Sequence, residues 1–301
     1  MTTYSDYGSY TAVTSNITAT NHNVGGLKLD LSLHQITRSK VDTTTLTNLP
    51  NEIGGEIALR QVSDAYTNTL KLQFNQALNT QAGFGFSHNH QLGTRLQLDT
   101  QLGYNQTATE TAAMRIIGKR NQIALNSNYR LDRWTQINMR GEYNQYYSVD
   151  AQPLGSGQLF STTFSHALSE AHPALRTRIT GTIAQYQAAN NTLTGETARL
   201  IPAGQPNTPA YFMPQSMREI AAYASIGDAI DSRTPARDFE YLTEIGMFYN
   251  NIAGAGIRVN AGIAGRVIGA DRLQFSTRYD QAPSGQGKST LEAGVSYHLH
   301  Y

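Results

Sequence analysis

Apolar and polar residues alternate one for one along most of this chain. Leu27, Leu29, Leu31 and Leu33 are separated by Lys28, Asp30, Ser32 and His34. Leu70, Leu72 and Phe74 oppose Lys71, Gln73 and Asn75, and Leu96, Leu98, Leu102 and Tyr104 oppose Arg95, Gln97, Asp99 and Gln101. The same rhythm sets Ile137, Met139 and Tyr143 against Asn138, Arg140, Glu142 and Asn144. It sets Leu175, Ile179 and Ile183 against Arg176, Arg178 and Thr180. Further on, Phe239, Tyr241, Ile245 and Met247 oppose Glu240 and Glu244, and Ile257, Val259, Ile263 and Val267 oppose Arg258, Asn260 and Arg266. Leu273, Phe275 and Tyr279 oppose Gln274, Ser276, Arg278 and Asp280. The final residues place Leu291, Ala293, Val295, Tyr297, Leu299 and Tyr301 on one face and Glu292, Gly294, Ser296, His298 and His300 on the other. Side chains along a strand change face with period two, so this pattern predicts strands throughout.

Short connections at 91–94, 131–133, 169–173 and 269–272 take turns with looser ones at 105–110, 148–157, 188–214, 250–254 and 281–288. Alternating tight turns and longer loops are the habit of membrane barrels. The bookkeeping gives about 14 strands back to Gly26, and residues 10–20 and 2–7 raise the count to about 16. Residues 111–131 are long for one strand, and the apolar parity shifts between Ile116 and Ile123. A bulge near Gly118 is the expected cause.

Composition fits the same reading. Hydrophobic residues are only 39% of the chain, and mean hydropathy is −0.41, which would suit a soluble protein. A membrane barrel gives the same values, because only alternate residues meet lipid while the lumen is polar. A soluble sandwich or barrel needs a dense aliphatic core on its buried face. Here one face carries Arg, Glu and Asp at mid-strand, and the 26 glycines suit a tilted, closing sheet. The fold expected is all-β: one antiparallel transmembrane barrel over residues 1–301. With 17 Tyr to 9 Phe, the aromatics suit membrane interfaces. The absence of cysteine agrees with an oxidising envelope compartment, and a net charge of +1 argues against a nucleic-acid partner. The first residues lack a basic start and an apolar run, so the expectation is the C-terminal part of a longer exported protein.

A closing strand that ends on an aromatic resembles the assembly signal of bacterial outer-membrane barrels. A narrower resemblance lies in Ala198-Arg-Leu-Ile-Pro-Ala-Gly204 leading to Phe212-Met-Pro-Gln-Ser216, and in Phe239-Glu-Tyr-Leu-Thr-Glu-Ile-Gly246. It continues in Gly256-Ile-Arg-Val-Asn-Ala-Gly-Ile-Ala-Gly265, Val267-Ile-Gly-Ala-Asp-Arg-Leu273 and the closing strand. Residues 170–301 are similar to the barrel domain of PelB-type outer-membrane exopolysaccharide exporters, with cellulose and poly-N-acetylglucosamine exporters as the neighbouring families. The resemblance implies a bacterial outer-membrane location, a polysaccharide cargo and an upstream periplasmic helical-repeat region. It also implies periplasmic or inner-membrane secretion partners, and a cargo resembling a partly deacetylated, cationic aminosugar polymer.

The candidate chemistry is that of a lined pore. Glu142, Glu240, Glu244, Asp280 and Glu292, with Arg140, Arg176, Arg178, Arg258 and Arg278, fall on the polar face. They either pair across strands or form a charged track for a hydrophilic polymer. The loop 188–214 carries Pro202, Pro206, Tyr211 and Phe212, which would stiffen and anchor a constriction; an ordinary exposed loop is the alternative. His88 with His90, and His298 with His300, share strand faces as metal-binding pairs would, but neither has a visible third ligand. Ser165-His166 and Ser87-His88 are adjacent, so they face opposite sides and do not form nucleophile–base pairs. Asp228 and Asp231 lack calcium-loop spacing. No catalysis, metal or cofactor is expected. The alternatives to an exporter are a general or solute-specific porin and, third, a barrel enzyme.

Overall fold

The alternating segments pair edge to edge until none is left with an open edge. The computed structural model describes residues 1–7, 10–40, 50–111, 113–169, 174–227, 239–267, 271–281 and 289–298, without the side chains of 20–22, 40 and 298. Among them, strands β1 (Thr2–Asp6), β2 (Tyr10–Val24), β3 (Leu27–Lys40), β4 (Glu52–Val62) and β5 (Tyr66–Gln76) open the chain. Then come β6 (Thr80–Leu92), β7 (Leu96–Thr107), β8 (Gly118–Arg130), β9 (Thr135–Ser148), β10 (Pro153–Ser169) and β11 (Leu175–Ala188). The last are β12 (Met217–Gly227), β13 (Glu240–Asn250), β14 (Gly254–Arg266), β15 (Arg272–Asp280) and β16 (Thr290–His298). Each pairs antiparallel with its chain neighbours, and β1 closes the barrel on β16 with Thr2 opposite Val295 and Asp6 opposite Leu291. Closure is required in lipid, where an unpaired backbone amide has no water to bond. Among the described residues no helix is long and apolar enough to cross a membrane.

The outer face is the apolar row. Val295 is 44% exposed while its neighbour Ser296 is 5% exposed, which fixes the direction of β16. Replacing Val295 with Arg should cost roughly 2–4 kcal/mol of barrel stability, the range for a cation near the bilayer midplane. Spin labels at 295 and 296 check the assignment: a lipid-soluble quencher should reach position 295 more readily, and the reverse order would mean the register is wrong.

One end of the barrel carries the connections 108–117 and 189–216 and is called the loop end here; the other is the turn end. At the turn end, Gly25 and Gly26 join β2 to β3 with φ of 58° and 84°. A two-residue hairpin whose twist matches its strands needs positive φ at both positions, which glycine adopts without strain.

Three details of the sequence reading change. The parity shift between Ile116 and Ile123 comes from a one-turn helix, α1 (Met114–Ile117), that precedes β8, and not from a bulge at Gly118. The register irregularity lies on the facing strand, between Gly103 and Gln106 of β7. Short and long connections also fail to alternate strictly: Gln76 to Thr80 is tight at the loop end, whereas residues 228–239 separate β12 from β13 at the turn end. Asp228, Asp231, Leu299, His300 and Tyr301, with residues 170–173, 268–270 and 282–288 of the connections, lie outside the described residues.

Candidate functional site

At the loop end an apolar cluster crosses the lumen. Tyr10 and Ala12 of β2 belong to it, and so do Tyr146 of β9 and Leu154 of β10. In a ring of 16 strands, β2 and β10 stand half a circuit apart. The space between these walls is filled by two connections. The first supplies Ala108, Met114, Ile116 and Ile117; the second supplies Leu193, Leu200, Ile201, Phe212 and Met213. The hydroxyl of Thr111 donates to the Phe212 carbonyl at 3.3 Å, so the two connections also bond to each other. The second one contains α2 (Gly195–Arg199) and a single 3-10 turn at Pro209–Tyr211.

Polar clamps surround this core. Asp150 accepts from the Thr197 amide at 2.8 Å and its hydroxyl at 3.0 Å, which ties α2 to the β9–β10 connection. Gln152 donates to the Thr194 carbonyl at 2.9 Å and accepts from the Thr194 amide at 3.0 Å. Glu110 accepts from Arg120 at 2.6 Å and from the Tyr146 hydroxyl at 3.1 Å. Burying aromatic and aliphatic side chains of this size holds the two connections down, because each would otherwise expose its apolar area to luminal water.

Below the plug the lumen wall is a lattice of ion pairs. Its densest part spans β11 to β15. Arg258 bonds Asp280 at 3.0 Å, Glu219 at 2.6 Å and the Tyr223 hydroxyl at 3.0 Å. Arg178 reaches Glu244 at 2.8 Å and lies 4.0 Å from the centre of the Tyr223 ring. Gly246 stands opposite both Tyr223 and Arg258 in the register. A Cβ there would come within 2.3 Å of the Tyr223 ring, so the missing side chain is what lets the ring lie flat and lets Arg258 cross β13 to Glu219. Arg272 is fully buried against Glu240. On the opposite wall Arg38 and Glu52 pair at 2.5 Å, Arg60 and Asp30 at 2.8 Å, and Lys71 and Glu56 at 3.0 Å.

By strand alternation the ten residues expected to line the pore share the face opposite the exposed apolar rows. The structure brings them together as partners more than as a free row: Glu240, Glu244 and Asp280 are each engaged by arginine. Glu142 pairs with Arg140 at 2.7 Å and lies 3.9 Å from Arg120. Arg278 is 3.8 Å from Asp280 and stands opposite Glu292 in the register, while Arg176 sits at the turn end. Of the loop residues, Phe212 is buried in the cluster, Tyr211 packs edge-on to it at 5.3 Å, Pro202 is half-buried and Pro206 is exposed.

Sequence reasoning missed α1, although its Met114-Arg-Ile-Ile117 run breaks the period-two rhythm. It also missed Glu219 and Tyr223, because β12 carries alanines on both faces and its alternation is faint. His88 and His90 face outward near the turn end, with His88 2.7 Å from Asn68 and its ring 6.1 Å from that of Tyr66. Among the described residues no group of three potential ligands stands close enough to hold a metal ion. Ser165 faces inward, and His166 bonds Thr135 at 3.0 Å.

A closed 16-strand antiparallel barrel with an apolar outer row and a charged lumen is a bacterial outer-membrane barrel. The family described as PelB, C-terminal beta barrel domain, matches residues 2–300, and the chain belongs to it. It is therefore an export-channel domain of the outer membrane. Among solved structures, a bacterial polysaccharide outer membrane secretin is similar at 9% identity and a TM-score of 0.65, over 99% of this chain and 97% of that one. CdiB from Acinetobacter baumannii is similar at 9% identity and a TM-score of 0.52, over 98% of this chain and 58% of that one. At these identities the likeness is one of fold. No curated protein matches the sequence.

Proposed function

We propose that this barrel passes a polar exopolysaccharide across the outer membrane, without catalysis, and that its two inward connections form the gate. The observation that carries the reading is the apolar cluster joining opposite walls through α1 and residues 189–216. A porin for small solutes works with a permanent constriction. A polymer conduit needs an element that shuts a wide lumen when no chain fills it, and loops held by side-chain packing and a few polar clamps, outside the strand ladder, suit that task. The structure of similar fold is described as a bacterial polysaccharide outer membrane secretin, which agrees with this cargo. The chain is driven by synthesis elsewhere in the envelope and is delivered by periplasmic or inner-membrane components.

The finer reading is an aminosugar polymer carrying positive charge. Its support is the inward carboxylates of the C-terminal strands, of which Glu244 and Glu292 are only partly buried. Fixed charges in a narrow aqueous pore set its ion preference. The double variant Glu244→Gln, Glu292→Gln should lower cation preference in planar-bilayer recordings, while Glu240 is kept so that buried Arg272 retains its partner. Unchanged selectivity would remove the cationic-cargo reading and favour a plain porin.

A further inference from the structure

We propose that the turn-end rim around Trp134 binds the phosphate of an anionic phospholipid headgroup. Arg130, Arg133 and Arg176 line one hollow there of about 430 Å³, together with Trp134 and His166. Six arginines of the lumen wall are matched: Arg38, Arg60, Arg120, Arg178, Arg258 and Arg272 each meet a carboxylate. The three rim arginines pair with no described carboxylate. Asp132 lines the same hollow, but its carboxylate is already committed. It accepts from the Trp134 amide at 2.6 Å and the Thr135 amide at 2.8 Å, and those donors hold its carboxyl below the usual range. Arg133 lies 4.4 Å from the centre of the Trp134 ring, so its guanidinium is oriented before any ligand arrives. Guanidinium groups recognise phosphate through paired N–H donors.

The source of the phosphate follows from the neighbouring surface. Tyr129, Leu131, Leu168 and Leu175 are exposed on the outward row at the same end. Arg130 and Arg176 take the inward parity and these apolar residues the outward one. A lipid therefore docks over the lip of the barrel, its phosphate at Arg133 and the ends of the other two arginines and its tails along the outward strip. An indole at such a boundary is the usual interfacial anchor. Free phosphate would use only the arginines. A basic residue near a membrane surface is worth about 1 kcal/mol of attraction to anionic lipid, or about fivefold in affinity.

Trp134 is the single tryptophan, so its fluorescence reports on this rim directly. The full chain is inserted into phosphatidylcholine vesicles containing either brominated phosphatidylglycerol or brominated phosphatidylcholine. Quenching should favour brominated phosphatidylglycerol by at least about fivefold in apparent affinity. The variant Arg130→Gln, Arg133→Gln, Arg176→Gln should lose that preference while keeping heat-modifiable migration. If this variant fails to insert, the single variants Arg130→Gln and Arg176→Gln should each weaken it. Equal quenching by the two lipids, or equal preference in variant and parent, overturns the proposal. So does displacement by millimolar inorganic phosphate without lipid preference, which would mark a small-anion site. Protection by a polyglutamate peptide without lipid preference would assign the rim to an acidic protein instead.

Discussion

Replacing Phe212 with Ala should convert a mostly closed channel into one that opens often. Phe212 is almost wholly buried where the two inward connections meet, and truncating a buried Phe costs about 3–5 kcal/mol. If that contact exists only while the plug is docked, the open-to-closed ratio rises by roughly two to four orders of magnitude. The wall does not depend on it: the strands keep their ladder, so heat-modifiable migration should be unchanged. Met114→Ala on the first connection should act in the same direction, since it lies in the same cluster. Excising residues 189–214 should raise single-channel conductance further. Parental open probability in both point variants, together with parental conductance after excision, would mean that these loops do not gate the pore.

Loss of Arg258 should be the most damaging single change in the lumen wall. Its guanidinium is shared by Glu219 and Asp280, both nearly buried, and Arg258→Met leaves Glu219 without its arginine and Asp280 with only the exposed Arg278, 3.8 Å away. Breaking a buried pair by removing one partner costs about 3–5 kcal/mol. Arg258→Lys should recover only part of this, because an ammonium cannot span both acids and the Tyr223 hydroxyl with a planar fork. The diagnostic variant is Arg258→Met with Glu219→Gln and Asp280→Asn, where the stranded charges are gone. Its stability in urea titration should return most of the way to the parent. If the triple variant is as unstable as the single one, the damage comes from lost packing of the guanidinium on the Phe248 ring, whose centre lies 4.3 Å away, and not from charge.

The ion-pair lattice explains why inward acids and bases occur in such equal numbers. A wall of unmatched charge would repel itself, and a wall of apolar groups would favour dewetting. Pairing across neighbouring strands also stiffens the sheet: Arg178 to Glu244 and Arg258 to Glu219 each bridge over an intervening strand. A rigid wall with movable plugs is the division of labour expected of a gated conduit, because the loops can separate without disturbing the barrel ladder.

The period-two rhythm by itself determined that the chain forms strands, which residues face lipid, and that the sheet closes at about 16 strands. Those properties are local: alternation dictates the face of every side chain, and the need to bond every backbone amide in lipid dictates closure. The inward placement of Glu240, Glu244, Asp280 and Arg258 was legible for the same reason. The tertiary structure alone decided what those residues do to one another. Arg258 meets Glu219 because Gly246 leaves a gap on the strand between them, a relation among three strands that no single periodicity contains. It also decided that α1 joins the plug. A four-residue helix has too little length to show its own period, and its apolar side chains find partners only where residues 189–216, distant in the chain, fold back across the same lumen.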